Sequence, residues 1–437
     1  SPIEGSPAIG NRGRVYVISQ QGNLYCFNPE TGGVVWDFSP EESWDNLKDD
    51  EDFQIDYYTR ILSDDFAVIS PSPAIGKDNT IYFGWLDGNL YAVNPETGEE
   101  KWRFNKNTGP ILASPVISSN DVIYFGDLDG RFHAVVDQGD KAKRHGKIYQ
   151  AGPVAARAAI DGNGNVYFGD LSQDGVLHCL APDCTLKWKK ETFYQLWRSP
   201  VIDRDNNAIF ASDDQQIWNF DPAKKTLEAL LQIPGGSWAQ SISPTLARDG
   251  SIFLGCTNDS FFALSREGDT LWNFMPLSAE GDPAGITFSS SAILGDGRVF
   301  FGTESGTLFM VQTGITLDFD APWPSYGQGL RNTGRSGASL NEIRETLENV
   351  NVEEEIPEDK TPLRFLDVTM QADNGPRLQI SGAPNQKFVV EKSDDLNGWQ
   401  VVGGVEQCNA EGKGEYAVEH FDATPGRQRF YRLIKVQ

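Results

Sequence analysis

One recurring pattern limits what this chain can fold into. Ser-Pro pairs at Ser6-Pro7, Ser72-Pro73, Ser114-Pro115, Ser199-Pro200 and Ser243-Pro244 open units of the same internal order, and Ala158-Ala159 and Ser290-Ser291 fill that place in two more. Beyond the first interval the units recur at roughly 42 to 47 residues, a period that fits four short strands with tight turns. In each, a β-rich run ends in a small residue, as in Ile81-Tyr82-Phe83-Gly84, Ile123-Tyr124-Phe125-Gly126, Val166-Tyr167-Phe168-Gly169 and Val299-Phe300-Phe301-Gly302. A polar turn follows, with Asp87-Gly88, Asp129-Gly130 or Asp174-Gly175, then a second run such as Leu90-Tyr91-Ala92-Val93. Asp-Gly between apolar runs is a hairpin signal because glycine adopts positive φ without a steric cost.

A lone four-stranded sheet leaves two faces bare, whereas sheets arranged around an axis cover both and keep only short edges. The expectation is therefore all-β: a seven-bladed β-propeller of four-stranded antiparallel blades over residues 1–335, with Trp36, Trp102, Trp188 and Trp272 closing four blades as wedges against their neighbours.

These residues resemble a known family. The run Ala92-Val93-Asn94-Pro95-Glu96-Thr97-Gly98-Glu99-Glu100-Lys101-Trp102 is similar throughout to the tryptophan-docking motif of PQQ-like, quinoprotein-type propellers. Cys26 to Trp36 matches with Cys26 in place of Ala and Gly33 in place of the acidic residue, and the runs ending in Trp188 and Trp272 are shorter and more degenerate. The resemblance covers about residues 1 to 335. It implies the fold and, in class, scaffolds of the BamB type; it does not imply a reaction.

Outside the blades, residues 39–69 form an insertion with ten acidic and two basic residues, either a partner-contacting flap or a solvated excursion. After the seventh unit, Trp323-Pro324 and Asn332-Thr333-Gly334 are expected to tie the ring shut. Residues 336–362 read as a short helix opened by Ser339-Leu340-Asn341-Glu342, followed by an acidic linker. Residues 363–437 read as a small β-sandwich module, with Trp399 and Tyr431 as core or, alternatively, as an exposed surface contact.

Charge narrows the partners. Acidic residues outnumber basic ones 62 to 37, a net −25 that repels nucleic acid and anionic lipid alike. No run approaches the roughly 20 apolar residues of a membrane helix, while a lipid anchor stays compatible with the sequence. An extracytoplasmic location, periplasmic, outer-membrane associated or secreted, is expected from the resemblance.

Catalytic signatures are weak. PQQ-dependent dehydrogenases of the resembled family carry adjacent cysteines, and here Cys26, Cys179, Cys184, Cys256 and Cys408 are all separated. His133 and His178 stand at the third-strand place held elsewhere by Tyr25, Tyr91, Trp218, Phe262 and Phe309, which reads as packing, and no third ligand for zinc is apparent. Asp161-Gly162-Asn163-Gly164-Asn165 and Asp203-Arg204-Asp205-Asn206-Asn207 begin like calcium loops, but Ser172 and Asp214 stand where the closing Glu belongs. Cys179 and Cys184 flank a turn that a local disulfide could close. No catalytic residue, no metal and no cofactor, neither PQQ nor calcium, is expected.

A binding site is expected at the axial mouth. Alignment of the repeats sets Arg157 and Arg198 at equivalent places in consecutive blades, with Tyr194, Trp197, Trp238 and Gln240 on neighbouring connectors and Trp85, Asp127 and Asp213 on turns of the same face. Such a funnel suits a peptide or small polar ligand, and a protein or peptide partner is the expectation; the plainer reading has both arginines neutralising a ring of carboxylates. The leading expectation is a non-catalytic interaction scaffold. The alternative is a quinoprotein-like or other small-ligand enzyme using the same funnel.

Overall fold

The computed structural model describes residues 3, 5–41, 71–212, 216–232, 243–255, 260–275, 285, 290–294, 297–303, 307–318, 320–329 and 332–336, together with the backbone of strands between 364 and 435. Two compact units divide the chain, Ser1–Val350 and Asn351–Gln437.

The first unit is a propeller of seven antiparallel blades: residues 8–38, 74–104, 116–150, 159–191, 201–232, 245–274 and 292–312. Blades 1, 2, 4, 5 and 6 are four-stranded in simple sequence order. In blade 3 the outermost strand is broken into Ala142–Arg144 and Tyr149–Gln150, both paired with Arg131–Asp137. Blade 7 has three strands among the described residues, and its last, Leu308–Gln312, leaves Leu308 and Met310 exposed. No α-helix occurs among the described residues; the expected helix at 339–350 and all but residues 39–41 of the acidic insertion at 39–69 lie outside them.

The register explains the motif ending in Trp. Trp36, Trp102, Trp188 and Trp272 stand directly opposite Cys26, Ala92, Cys179 and Ala263, and in each case the pairing slips immediately after that small residue. A small side chain makes room for an indole across the strand pair, and the bulge tilts the outer strand. Trp36 Nε1 then donates to Pro95 O of blade 2 at 3.1 Å, and Trp102 Nε1 donates to Asp137 Oδ1 of blade 3 at 2.9 Å. Trp188 meets Phe220 of blade 5 at a ring-centre distance of 4.4 Å. Trp272 meets Phe253 and Phe261 of its own blade and packs against the apolar cluster that blades 6 and 7 share.

Blade faces are buried against one another by side chains of alternating strand positions, with Phe132 stacked on Phe168 at 4.0 Å and Phe261 on Phe301 at 4.1 Å. Apolar clusters join each blade to the next from blade 1 through blade 7. None among the described residues joins blade 7 to blade 1.

The segment after blade 7 crosses beneath the inner strands. Leu317 bridges Ala247 of blade 6, and Trp323, fully buried, bridges Ile202 of blade 5. Ile75 of blade 2 and Ile117 of blade 3 donate their N–H groups to Thr333 O and Gly334 O at 2.9 and 2.7 Å, and Asn332 Nδ2 donates to Pro7 O of blade 1 at 2.8 Å. The tail thus touches the inner strands of distant blades at once.

The second unit holds two antiparallel sheets. One is built from Arg364–Gln371, Gly375–Ser381 and Lys413–Ala417, the other from Lys387–Ser393 with Gln400–Val401, Glu406–Gln407 and Phe430–Lys435. Trp399, and the side-chain packing expected of a sandwich, lie outside the described residues.

Candidate interaction face and axial cavity

One face of the propeller gathers the turns between second and third strands with the connectors that lead into the next blade, and a repeated device fixes it. Ile111 N–H donates to Trp85 O, Val154 N–H to Asp127 O and Leu196 N–H to Asp170 O, at 2.9, 3.0 and 3.1 Å. The side chains of Ile111, Val154 and Leu196 sit in notches left by Gly84, Gly126 and Gly169, where any Cβ would overlap them. That is why the second strand ends in a small residue.

The turn carboxylates expected to line the funnel instead hold the face together. Asp127 is fully buried: Oδ1 accepts from Arg131 N–H at 2.8 Å, while Oδ2 accepts from Gly109 N–H and His133 Nε2, each at 2.9 Å. Asp170 repeats the pattern one blade on, with Val176 N–H at 3.0 Å and with Gly152 N–H and His178 Nε2, each at 2.9 Å. Each imidazole stacks on a phenylalanine, His133 on Phe125 and His178 on Phe168, both at 4.9 Å. The other ring nitrogen faces a donor, Arg144 Nη1 for His133 and the Tyr149 hydroxyl for His178, each at 3.1 Å. A neutral imidazole donating from Nε2 and accepting at Nδ1 satisfies both contacts. Burial pushes the His133 pKa down, outweighing the Asp127 carboxylate that raises it. For Asp170, burial raises the pKa but is outweighed by the hydrogen bonds from His178, Ser172 and Gly152, so the net direction is down.

Trp85 is also interior. Its indole fills the space over Gly22 of blade 1, where a Cβ would overlap the ring, and none of its surface is exposed. Trp85 and Asp127 are thus corrected from face residues to blade-joining ones. Asp213, Trp238 and Gln240 lie outside the described residues.

Among the described residues, the large aromatics exposed on this face stand on the connector from blade 4 to blade 5. Phe193 and Tyr194 are 66% and 48% exposed, with Trp197 and Arg198 half-buried behind them. Phe193 holds φ at +67°, a left-handed backbone that a bulky residue rarely adopts, so the surroundings must fix it. They do: Thr192 Oγ1 donates to Tyr194 O at 3.0 Å, Gln195 Nε2 donates to Leu171 O at 2.9 Å, and Leu196 is seated against Gly169. Phe193 was visible in the sequence, but nothing there marked its strain or its exposure.

The axis is lined by the repeat serines. Ser72 N–H donates to Ser114 Oγ at 2.7 Å and Ser199 N–H to Ser243 Oγ at 3.1 Å, so the Ser-Pro pair joins neighbouring blades around the channel. Inner strands at Ala74–Ile75, Ala159–Ile160 and Val201–Ile202 set the alignment: Arg157 occupies the serine place, level with Ser72 and Ser199, and Arg198 comes one residue earlier. The two arginines are therefore not equivalent, which corrects the alignment on Ala158. Arg157 is 1% exposed and reaches across the axis, donating from Nη2 to Ser72 O and Pro73 O at 3.2 and 3.3 Å and from Nη1 to Asn332 Oδ1 at 3.1 Å. Its guanidinium lies 4.6 Å from the ring centre of Tyr326, whose hydroxyl is 2.9 Å from Ser114 Oγ. A cavity of about 1010 Å³ runs beside these groups and is lined by both arginines, Trp197 and faces of blades 1 and 7.

Cys179 and Cys184 are free buried thiols, each pushed up to about 12 chiefly by burial. Asp161 and Asp203 accept hydrogen bonds from Asn165 and Asn207 within their own turns, and no cluster of metal-ligating groups occurs among the described residues. No helix among the described residues is long and apolar enough to cross a membrane.

The sequence pattern of the family described as "Outer membrane protein assembly factor BamB" matches residues 1–227. Among solved structures, the crystal structure of BamB from Moraxella catarrhalis superposes with a TM-score of 0.51 at 15% identity, covering 72% of this chain and 86% of that one, a likeness of fold. No curated protein matches the chain.

Proposed function

The chain belongs to the PQQ-like repeat family described as outer membrane protein assembly factor BamB, and from that premise we propose that it is a non-catalytic, extracytoplasmic scaffold that grips a protein partner on the connector face of its propeller. The observation that carries the reading is the Phe193–Tyr194 pair: two large aromatics held out into solvent on a loop whose backbone is fixed beforehand. Aromatic anchors on a preorganised loop bind with little ordering cost, and they are the residues that dominate protein interfaces. Arg198 and Trp197 flank the pair and extend the contact toward the axis. The family's description suggests a partner among the components that assemble outer-membrane proteins.

The test is co-purification of the protein from its own cells with Phe193→Ala and Tyr194→Ala variants. Each should lower recovery of the assembly partner by about tenfold or more, the loss of a single hot spot, while the melting temperature stays unchanged. Undiminished recovery in the double variant would remove the face from the account. For the enzyme alternative, dye reduction on adding PQQ and calcium to the purified protein would overturn the scaffold reading.

A further inference from the structure

Among the described residues nothing neutralises the charge of Arg157. A guanidinium keeps its proton in proteins, this one is 1% exposed, and among the described residues it meets no carboxylate, only carbonyl oxygens, Asn332 and the Tyr326 ring. Its Nε has no hydrogen-bond partner. A buried charge without a counter-charge is among the costliest groups a protein interior can hold.

Neither structural duty at this position requires it. Ser72, Ser114, Ser199 and Ser243 fill the same repeat place, and a hydroxyl joins the blades there. The tail is independently fixed by backbone pairing at Leu317, Trp323, Thr333 and Gly334. What Arg157 does have is a cavity of about 1010 Å³ beside it, shared with Arg198 and walled by Val17, Ile293, Phe300 and Leu317. That is near the upper end of the sizes typical of small-molecule sites, and the mix of apolar wall and convergent polar groups is theirs too.

We propose that this cavity binds a small organic acid, with its carboxylate on Arg157 and its apolar body against Ile293, Phe300 and Leu317. A carboxylate supplies both missing elements, the negative charge and an acceptor for Nε, and charge-assisted pairing is strongest where water is excluded. The site lies beneath the face that carries the scaffold reading and does not depend on it, because the test uses the purified chain without any partner.

Isothermal calorimetry would compare decanoate with 1-decanol, and 2-naphthoate with 2-naphthalenemethanol. Each acid is expected to bind about tenfold or more tightly than its alcohol. Arg157→Gln should erase that preference, and Arg157→Lys should keep part of it. If Arg157→Gln fails to fold, Ala292→Trp, which fills the cavity from its exposed rim and leaves Arg157 in the sequence, should abolish binding of the acids. Equal binding of acid and alcohol, acid binding unchanged in the folded variants, or no binding of either acid at millimolar concentration would overturn the proposal and leave Arg157 as a latch on the tail.

Discussion

The indole in the outer strand of blades 1, 2, 4 and 6 stands opposite a small residue, and this pairing accounts for the two cysteines that otherwise look anomalous. Cys26 and Cys179 stand where blades 2 and 6 have Ala92 and Ala263. Cys26→Ala and Cys179→Ala should each change unfolding free energy by about 1 kcal/mol or less, whereas Ala92→Leu, which drives a branched side chain into Trp102, should cost about 1–3 kcal/mol. Denaturant titration reads both. His133 gives a pH signature of definite sign. Because burial lowers the folded-state pKa of His133 below its unfolded value of about 6.5, the unfolded chain takes up the proton first as pH falls. Its contribution is therefore complete above that value and lost on acidification toward the lower folded pKa. Melting temperatures measured between neutral pH and pH ~5 should fall with acidity, and the slope should flatten in His133→Gln; an identical slope in the variant would show that His133 is not its source.

At the scale of the strand and connector, the Gly notches set the height of the whole face. Gly169→Ala would push a methyl into Leu196, at a cost of about 1–3 kcal/mol, and pairing it with Leu196→Ala should recover part of the loss in a double-mutant cycle. Additive losses would mean the two residues are not in contact. How much of this could be read from the sequence follows from the range of each interaction. Strand order, Asp-Gly turns, the closing tryptophans and the small residue before each turn are local and periodic, so repetition displays them. The Ser72 to Ser114 bond, the reach of Arg157 to blade 2 and the inward turn of Asp127 join residues that are neighbours only in the folded ring. Nothing local distinguishes a carboxylate that faces solvent from one that accepts the preceding connector's N–H. The one-residue error at Arg157 had a specific cause: without its serine, the unit offered Ala158-Ala159 as the nearest small pair.

For the whole molecule, the segment after blade 7 matters more than its length suggests. It pairs with inner strands on opposite sides of the axis, and Trp323 is fully buried beneath blade 5. Trp323→Ala should destabilise the propeller by about 3–5 kcal/mol and lower its single unfolding transition as a unit; loss of a separate minor transition only would show that the tail is an accessory. A ring bound this way at its hub, with turn carboxylates at Asp127 and Asp170 committed to joining blades, offers a rigid platform on which, among the described residues, the Phe193–Tyr194 loop stands exposed. Site-specific photocrosslinking in cells tests that most directly. A photoreactive phenylalanine in place of Phe193 should form an adduct with a component of outer-membrane protein assembly, while the same group in place of exposed Leu186, on the outer strand of blade 4, should not. Equal labelling at both positions, or an adduct at Leu186 alone, would contradict the account.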